Sequence, residues 1–299
     1  MVGIALVVTF AGPGIRRDWR FRSTVGTLAD EQATVEARRD ASQDLLSFGE
    51  AAIPNLTELL RDENVEIRGI AATALKELAV VEQISLPRET MDSLLQAANR
   101  QEERQLRYDP GSEPYRTLVL IGTPSVPLWI QALESDDADV RLQAMEALAA
   151  IGPGAREAIP VLLDQLTNRV FNRQEAALDS VDWMISSDAS AALASIGRPA
   201  IPGLAEALTD KREWVRFDAG SALSRIGLEA VPELIKALNH PELVVQLESA
   251  RSLSRMGREA SMAIAPLKKK LETTEADSAL FMLVSEALAN IQADIESDS

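Results

Sequence analysis

An apolar residue followed by Gly recurs through this chain at near-constant spacing, and that recurrence limits what the chain can fold into. The pairs are Ile121–Gly122, Ile151–Gly152, Ile196–Gly197, Ile226–Gly227 and Met256–Gly257, at steps of 30, 45, 30 and 30 residues. Pro after an apolar residue or Ala supplies a second marker, at Pro54, Pro87, Pro127, Pro160, Pro202, Pro232 and Pro266. Pro suits the first turn of a helix, where its missing N–H loses no bond. Gly suits the left-handed position that ends one. The two markers therefore bracket a helix pair. Such a pair cannot bury its own apolar face and must stack on copies of itself.

The register between markers agrees. Counting back from Ile226, apolar or small residues fall at Leu223, Ala222, Ala219 and Val215. The same count gives Val140, Ala144, Ala147, Leu148 and Ile151, then Ile185, Ala189, Ala192, Leu193 and Ile196, and Ile67, Ala71, Ala74, Leu75 and Leu78. This is one face of an α-helix. On these residues the chain resembles the HEAT-repeat family, and its 30-residue step resembles the short HEAT-like repeats of phycobilin lyase subunits, over roughly Glu31 to Ile291. The expected fold is all-α, a right-handed α-solenoid of about seven stacked antiparallel helix pairs. The resemblance also implies an Asp in the inter-helix turn and an Arg six residues on: Asp62 with Arg68, and Asp210 with Arg216. The copy at Asp136 and Arg141 falls one residue short, and His240 with Gln246 has lost both charges. In the family these residues tie neighbouring repeats together.

A single solenoid is expected over residues 23–292, with Glu31–Gly49 as a capping half repeat and an acidic disordered tail at 293–299. Residues 1–22 differ in kind. Met1–Ile15 is uncharged, and Arg16, Arg17, Arg20 and Arg22 follow, interleaved with Trp19 and Phe21. The apolar run is too short for a membrane span of about 20 residues, but it resembles the core of a signal peptide or the end of an anchor. The alternative is a helix packing on the first repeat. The placement is thus cytoplasmic, or membrane-anchored or exported through residues 1–22.

The net charge of −16 opposes phosphate backbones, which nucleic-acid binding must neutralise with Lys and Arg. No nucleic acid is expected as a partner. Without Cys there is no thiolate nucleophile and no zinc–thiolate site. The single His, His240, sits in an inter-helix turn beside Pro241, which favours a helix cap over a general base. The HEAT family of deoxyhypusine hydroxylases holds iron with repeated His-Glu pairs, and none occurs here. The acidic run Glu134–Asp139 lacks the central Gly and terminal Glu of a calcium loop. No catalytic residue, cofactor or metal is expected.

The reading that remains is a non-catalytic scaffold for a protein or peptide, basic in character. The alternatives are a subunit of a chromophore-lyase-type enzyme and an architectural cell-envelope protein. In the family the second helices line the concave face. Eight positions before each closing apolar residue stand Gln143, Asp188, Asp218 and Glu248; one turn on come Glu146, Ser221 and Arg251, then Arg225 and Arg255. This polar, mostly acidic ladder is the candidate binding strip. The 15 extra residues between Pro153 and Ile196 bring Phe171 and Trp183 as aromatic anchors for a partner.

Overall fold

The computed structural model describes residues 15–30, 32–99, 112–167 and 181–297. Among them the regular structure is helical, without a strand. They fall into two compact units, one ending at Ile121 and the other beginning at Gly122; the sequence reading drew one solenoid over 23–292.

The first unit stacks three pairs: α1 (Ile15–Ala29) with α2 (Val35–Leu46), α3 (Ile53–Leu59) with α4 (Val65–Lys76), and α5 (Arg88–Ala98) with α6 (Glu113–Ile121). The second helices α2, α4 and α6 pack each on the next. The expected half repeat at Glu31–Gly49 is therefore a whole pair, because α1 supplies its first helix. This corrects the reading of residues 1–22 as a membrane anchor or export signal. Among the described residues no helix is long and apolar enough to cross a membrane. The proposed boundary at residue 22 falls inside α1, whose Phe21, Val25 and Leu28 are buried. Phe21 meets Phe48 edge to face, 4.9 Å between centroids, a favoured aromatic geometry. Of the Arg-rich flank, Arg20 and Arg22 lie exposed on this packed helix, with Arg20 paired to Asp44 of α2 at 2.6 Å. Residues 1–14 lie outside the described ones.

The second unit stacks five pairs: α7 (Val126–Ala132) with α8 (Ala138–Ile151), α9 (Ile159–Thr167) with α10 (Val181–Ile196), α11 (Ile201–Ala207) with α12 (Glu213–Ile226), α13 (Val231–Ala237) with α14 (Leu243–Met256), and α15 (Ile264–Glu272) with α16 (Ala279–Ser297). Here too α8, α10, α12, α14 and α16 pack successively. The sequence markers take the roles expected of them. Pro127, Pro202 and Pro232 sit in the first turn of α7, α11 and α13. Gly227 ends α12 at φ 82°, a region costly to a residue with a Cβ. The stripe Val215, Ala219, Ala222 and Leu223 is fully buried. The acidic end expected to be disordered from 293 continues α16 as helix to Ser297.

The repeat of α3 and α4 closes without Gly. α4 runs on through a π turn, Glu77–Val81, and Gln83 takes the left-handed conformation at φ 55°. The amide of Ile84 then donates to the carbonyl of Leu78 at 2.9 Å, so the helix still ends on a bonded turn.

Candidate functional site

The inter-helix turns show what the Asp and Arg markers do. Arg216 Nη1 donates to the carbonyls of Asp210 at 2.8 Å and Lys211 at 3.0 Å. Arg68 does the same to Asp62 and Glu63, both at 2.8 Å. Arg141 does it to Ser135 at 2.7 Å and Asp136 at 3.0 Å. Each Arg locks the turn of its own repeat, where carbonyls at the end of the first helix lack helical partners. The expectation that Asp210 and Arg216 bond across repeats is corrected. So is the register at Asp136: Ser135 holds the slot that Asp62 and Asp210 hold elsewhere.

The slot residue works through its side chain. Asp62 Oδ1 accepts from the amide of Asn64 at 2.8 Å, and Asp210 Oδ1 from that of Arg212 at 2.8 Å. Ser135 Oγ accepts from Asp137 at 3.2 Å, and His240 Nδ1 from Glu242 at 3.2 Å. Gln246 then donates to the His240 carbonyl, as Arg does in the other repeats. The lone His is therefore a turn acceptor. At the Asp210 turn a bond to the preceding repeat is made instead by Arg212, which sequence reading missed. Its guanidinium holds the Asp210 carboxylate at 2.8 Å and donates to the Thr167 carbonyl at the end of α9. The same guanidinium keeps the Asp210 carboxyl down to about 2.

The candidate ladder divides into three kinds of residue. Gln143 is buried, 8% exposed, and offers little surface to a partner. Glu248 is more deeply buried, its side chain 5% exposed, with Arg255 at 2.9 Å and Arg251 at 3.5 Å. Arg255 also donates to Ser252 Oγ at 3.0 Å. Room for this cluster comes from Gly220 of α12, where a Cβ would fall 2.7 Å from Glu248 Oε1 and 2.5 Å from Ser252 Oγ. The ladder is thus not acidic throughout. Asp218 is half-buried, engaged within the fold, and its carbonyl accepts from Ser190 Oγ of α10 at 2.9 Å.

Glu146 and Asp188 are the third kind. They come from consecutive second helices, α8 and α10. Glu146 is exposed as a residue, yet its carboxyl is desolvated and feels the Asp188 charge, which together push it up to about 7. Burial raises Asp188 as well. Among the described residues no cation pairs with either. Phe171 lies outside the described residues; Trp183 falls in α10, and its side chain lies outside them too. An exposed aromatic that sequence reading passed over is Phe217 of α12, 51% exposed, with the Arg255 guanidinium 5.3 Å from its ring centroid.

Three family models match the chain. HEAT repeats match residues 201–289, a HEAT repeat matches 52–81, and the PBS lyase HEAT-like repeat matches 140–168. Among curated proteins no sequence matches. Among solved structures, the karyopherin Kap121p bound to the SUMO protease Ulp1p is similar at 14% identity and TM-score 0.51, over 97% of this chain and 35% of that one. Kap121p bound to Nup53p is similar at 14% identity and TM-score 0.51, over 95% and 34%. Human deoxyhypusine hydroxylase in complex with glycerol is similar at 19% identity and TM-score 0.33, over 94% and 97%. The chain thus spans about a third of the length of Kap121p, and the likeness to it is one of fold.

Proposed function

Because the chain is a HEAT-repeat protein, we propose that it is a non-catalytic scaffold that binds a protein segment along the second helices of its larger unit. The observation that carries this reading is the Glu146–Asp188 pair. Two carboxyls raised by burial stand on the consecutive helices α8 and α10, the charge of Asp188 is felt at Glu146, and no cation pairs with either among the described residues. Burying charge is costly unless it is paired. Glu248 shows how the same ladder position looks when two guanidiniums satisfy it. A Lys or Arg from a partner supplies at Glu146 and Asp188 what Arg251 and Arg255 supply internally at Glu248. Repetition places such groups at constant height on stacked helices, which suits an extended segment rather than a small molecule. The overall charge of −16 steers a basic partner towards the surface.

The test is fluorescence anisotropy with a labelled Lys-rich peptide, on the wild type and on Glu146→Gln/Asp188→Asn. These substitutions keep shape and remove charge. The expected result is binding that weakens with salt and that the double variant weakens by about tenfold or more, a loss of about 1.4 kcal/mol. No binding by the wild type, or equal binding by a folded double variant, overturns the reading.

A further inference from the structure

The strip changes sign along its length, and that change describes its occupant. Five positions before the closing residues stand Glu146, Ala191, Ser221 and Arg251; one position before stand Ala150, Ser195, Arg225 and Arg255. With Asp188, the side chains of this strip that reach solvent are carboxyls on α8 and α10, whereas α12 sets the exposed Arg225 beside the half-buried Asp218 and α14 carries the exposed Arg251 and Arg255. Glu248 offsets one of the two positive charges of Arg251 and Arg255, to which it is paired at 3.5 and 2.9 Å, and the guanidiniums are the more exposed members of the cluster. Phe217 adds a separate feature at that end. It is a large apolar side chain left 51% exposed, and Arg255 stands over its ring. Held between Glu248, Ser252 and that ring, the Arg255 head is pre-oriented, so little of its freedom is lost when an anion docks.

We infer that the occupant is an extended protein segment of opposed charge, with Lys or Arg over α8–α10 and, further along, Asp or Glu beside an apolar side chain over α12–α14. This rests on the reading above and narrows it from a basic partner to a polarised one. The spacing follows from packing. Neighbouring helices in a layer lie about 8–10 Å apart, so the centres of the two charged halves are about 16–20 Å apart. An extended chain advances about 3.3 Å per residue, which puts the basic and acidic groups about five or six residues apart. The wrong order along the strip sets like charges together, a penalty that gives register and specificity.

The experiment compares four labelled peptides by anisotropy at low salt. One carries two Lys, about five uncharged residues, then Asp-Asp-Leu. Its isomer interleaves the same residues. The others carry only the Lys half or only the Asp-Asp-Leu half. The block peptide is expected to bind about tenfold or more tighter than its isomer and than the Lys half. Arg225→Glu and Phe217→Ala, neither of which removes a partner of Glu248, should each weaken the block peptide and leave the Lys half unchanged. Circular dichroism confirms that the variants are folded. If the Lys half binds as tightly as the block peptide, or the isomer equals the block, the polarised strip is refuted while the scaffold reading stands. If no peptide binds, both fail.

Discussion

Gly220→Ala should destabilise the larger unit, although Gly to Ala inside a helix ordinarily gains about 0.8–1.0 kcal/mol. Gly220 is a buried position within α12. An ideal Cβ there would stand 2.5 Å from Ser252 Oγ, 2.7 Å from Glu248 Oε1 and 3.1 Å from Arg255 Nη2. All three are side-chain ends, so the cost depends on whether they can move. Glu248 cannot move freely, because it is buried and bound to Arg255 at 2.9 Å. Overpacking costs about 1–3 kcal/mol, and a charged hydrogen bond contributes about 1.5–3 kcal/mol. Against a propensity gain of about 1 kcal/mol, the net loss is about 1.5–5 kcal/mol. Gly69 of α4 is the internal control: a helical glycine where a Cβ meets nothing within 4 Å. Gly69→Ala should raise the urea midpoint and Gly220→Ala lower it, each at constant slope. Adding Ser252→Ala should recover part of the loss by removing the closest atom. A Gly220→Ala variant that gains stability as Gly69→Ala does would refute the argument that this glycine makes room for the buried ion cluster.

Leu223, fully buried on the α12 stripe, should cost about 2–5 kcal/mol as Leu223→Ala; a loss under about 0.5 kcal/mol, a typical surface value, would place it outside the core. Gln83→Gly should stabilise the smaller unit by about 1 kcal/mol, since an exposed L-residue held at φ 55° gives up its backbone strain; unchanged urea midpoints would deny that strain. Glu146→Gln should alter the pH profile of stability. The folded carboxyl titrates near 7, above its ordinary 4.5, so between those values the folded state holds more protons. Wild-type stability then falls as pH rises from 4.5 to 7. The variant should lose that slope, and parallel profiles for the two proteins would count against the raised carboxyl.

Fold was legible because it rests on features that survive as residue type: Gly in the left-handed slot, Pro in the first turn, and the Ala and Leu stripe. Each works within its own repeat, so a count along the chain finds it. The turn residues were legible only as a pattern of chemistry, and there the pattern misled. What the slot requires is an acceptor for the amide two residues on, a need that Asp62, Ser135, Asp210 and His240 all meet. Reading the slot as Asp alone shifted one repeat by a residue and gave the Arg a partner in the wrong repeat. The N-terminal helix was misread for a related reason. Its Arg residues are as suited to the wet side of a packed helix as to a membrane flank, and only the burial of Phe21, Val25 and Leu28 separates the two.

The ladder was the hardest part to read, because the state of each rung is set by the neighbouring repeat. Asp188, Asp218 and Glu248 occupy one register position and look alike as letters. Glu248 is buried and neutralised because α12 presents Gly220 to it while α14 itself supplies Arg251 and Arg255. Asp188 has Glu146 of α8 near it instead, a like charge, and both carboxyls are raised. A periodic fold fixes where a side chain stands but leaves its ionisation to residues about 30 or more positions away in sequence, on the adjacent helix. The proposed binding therefore rests on departures from the repeat. The Glu146–Asp188 rung, with no paired cation among the described residues, and the exposed Phe217, where the other second helices carry no aromatic at that position, are the two departures that the proposed strip is built on.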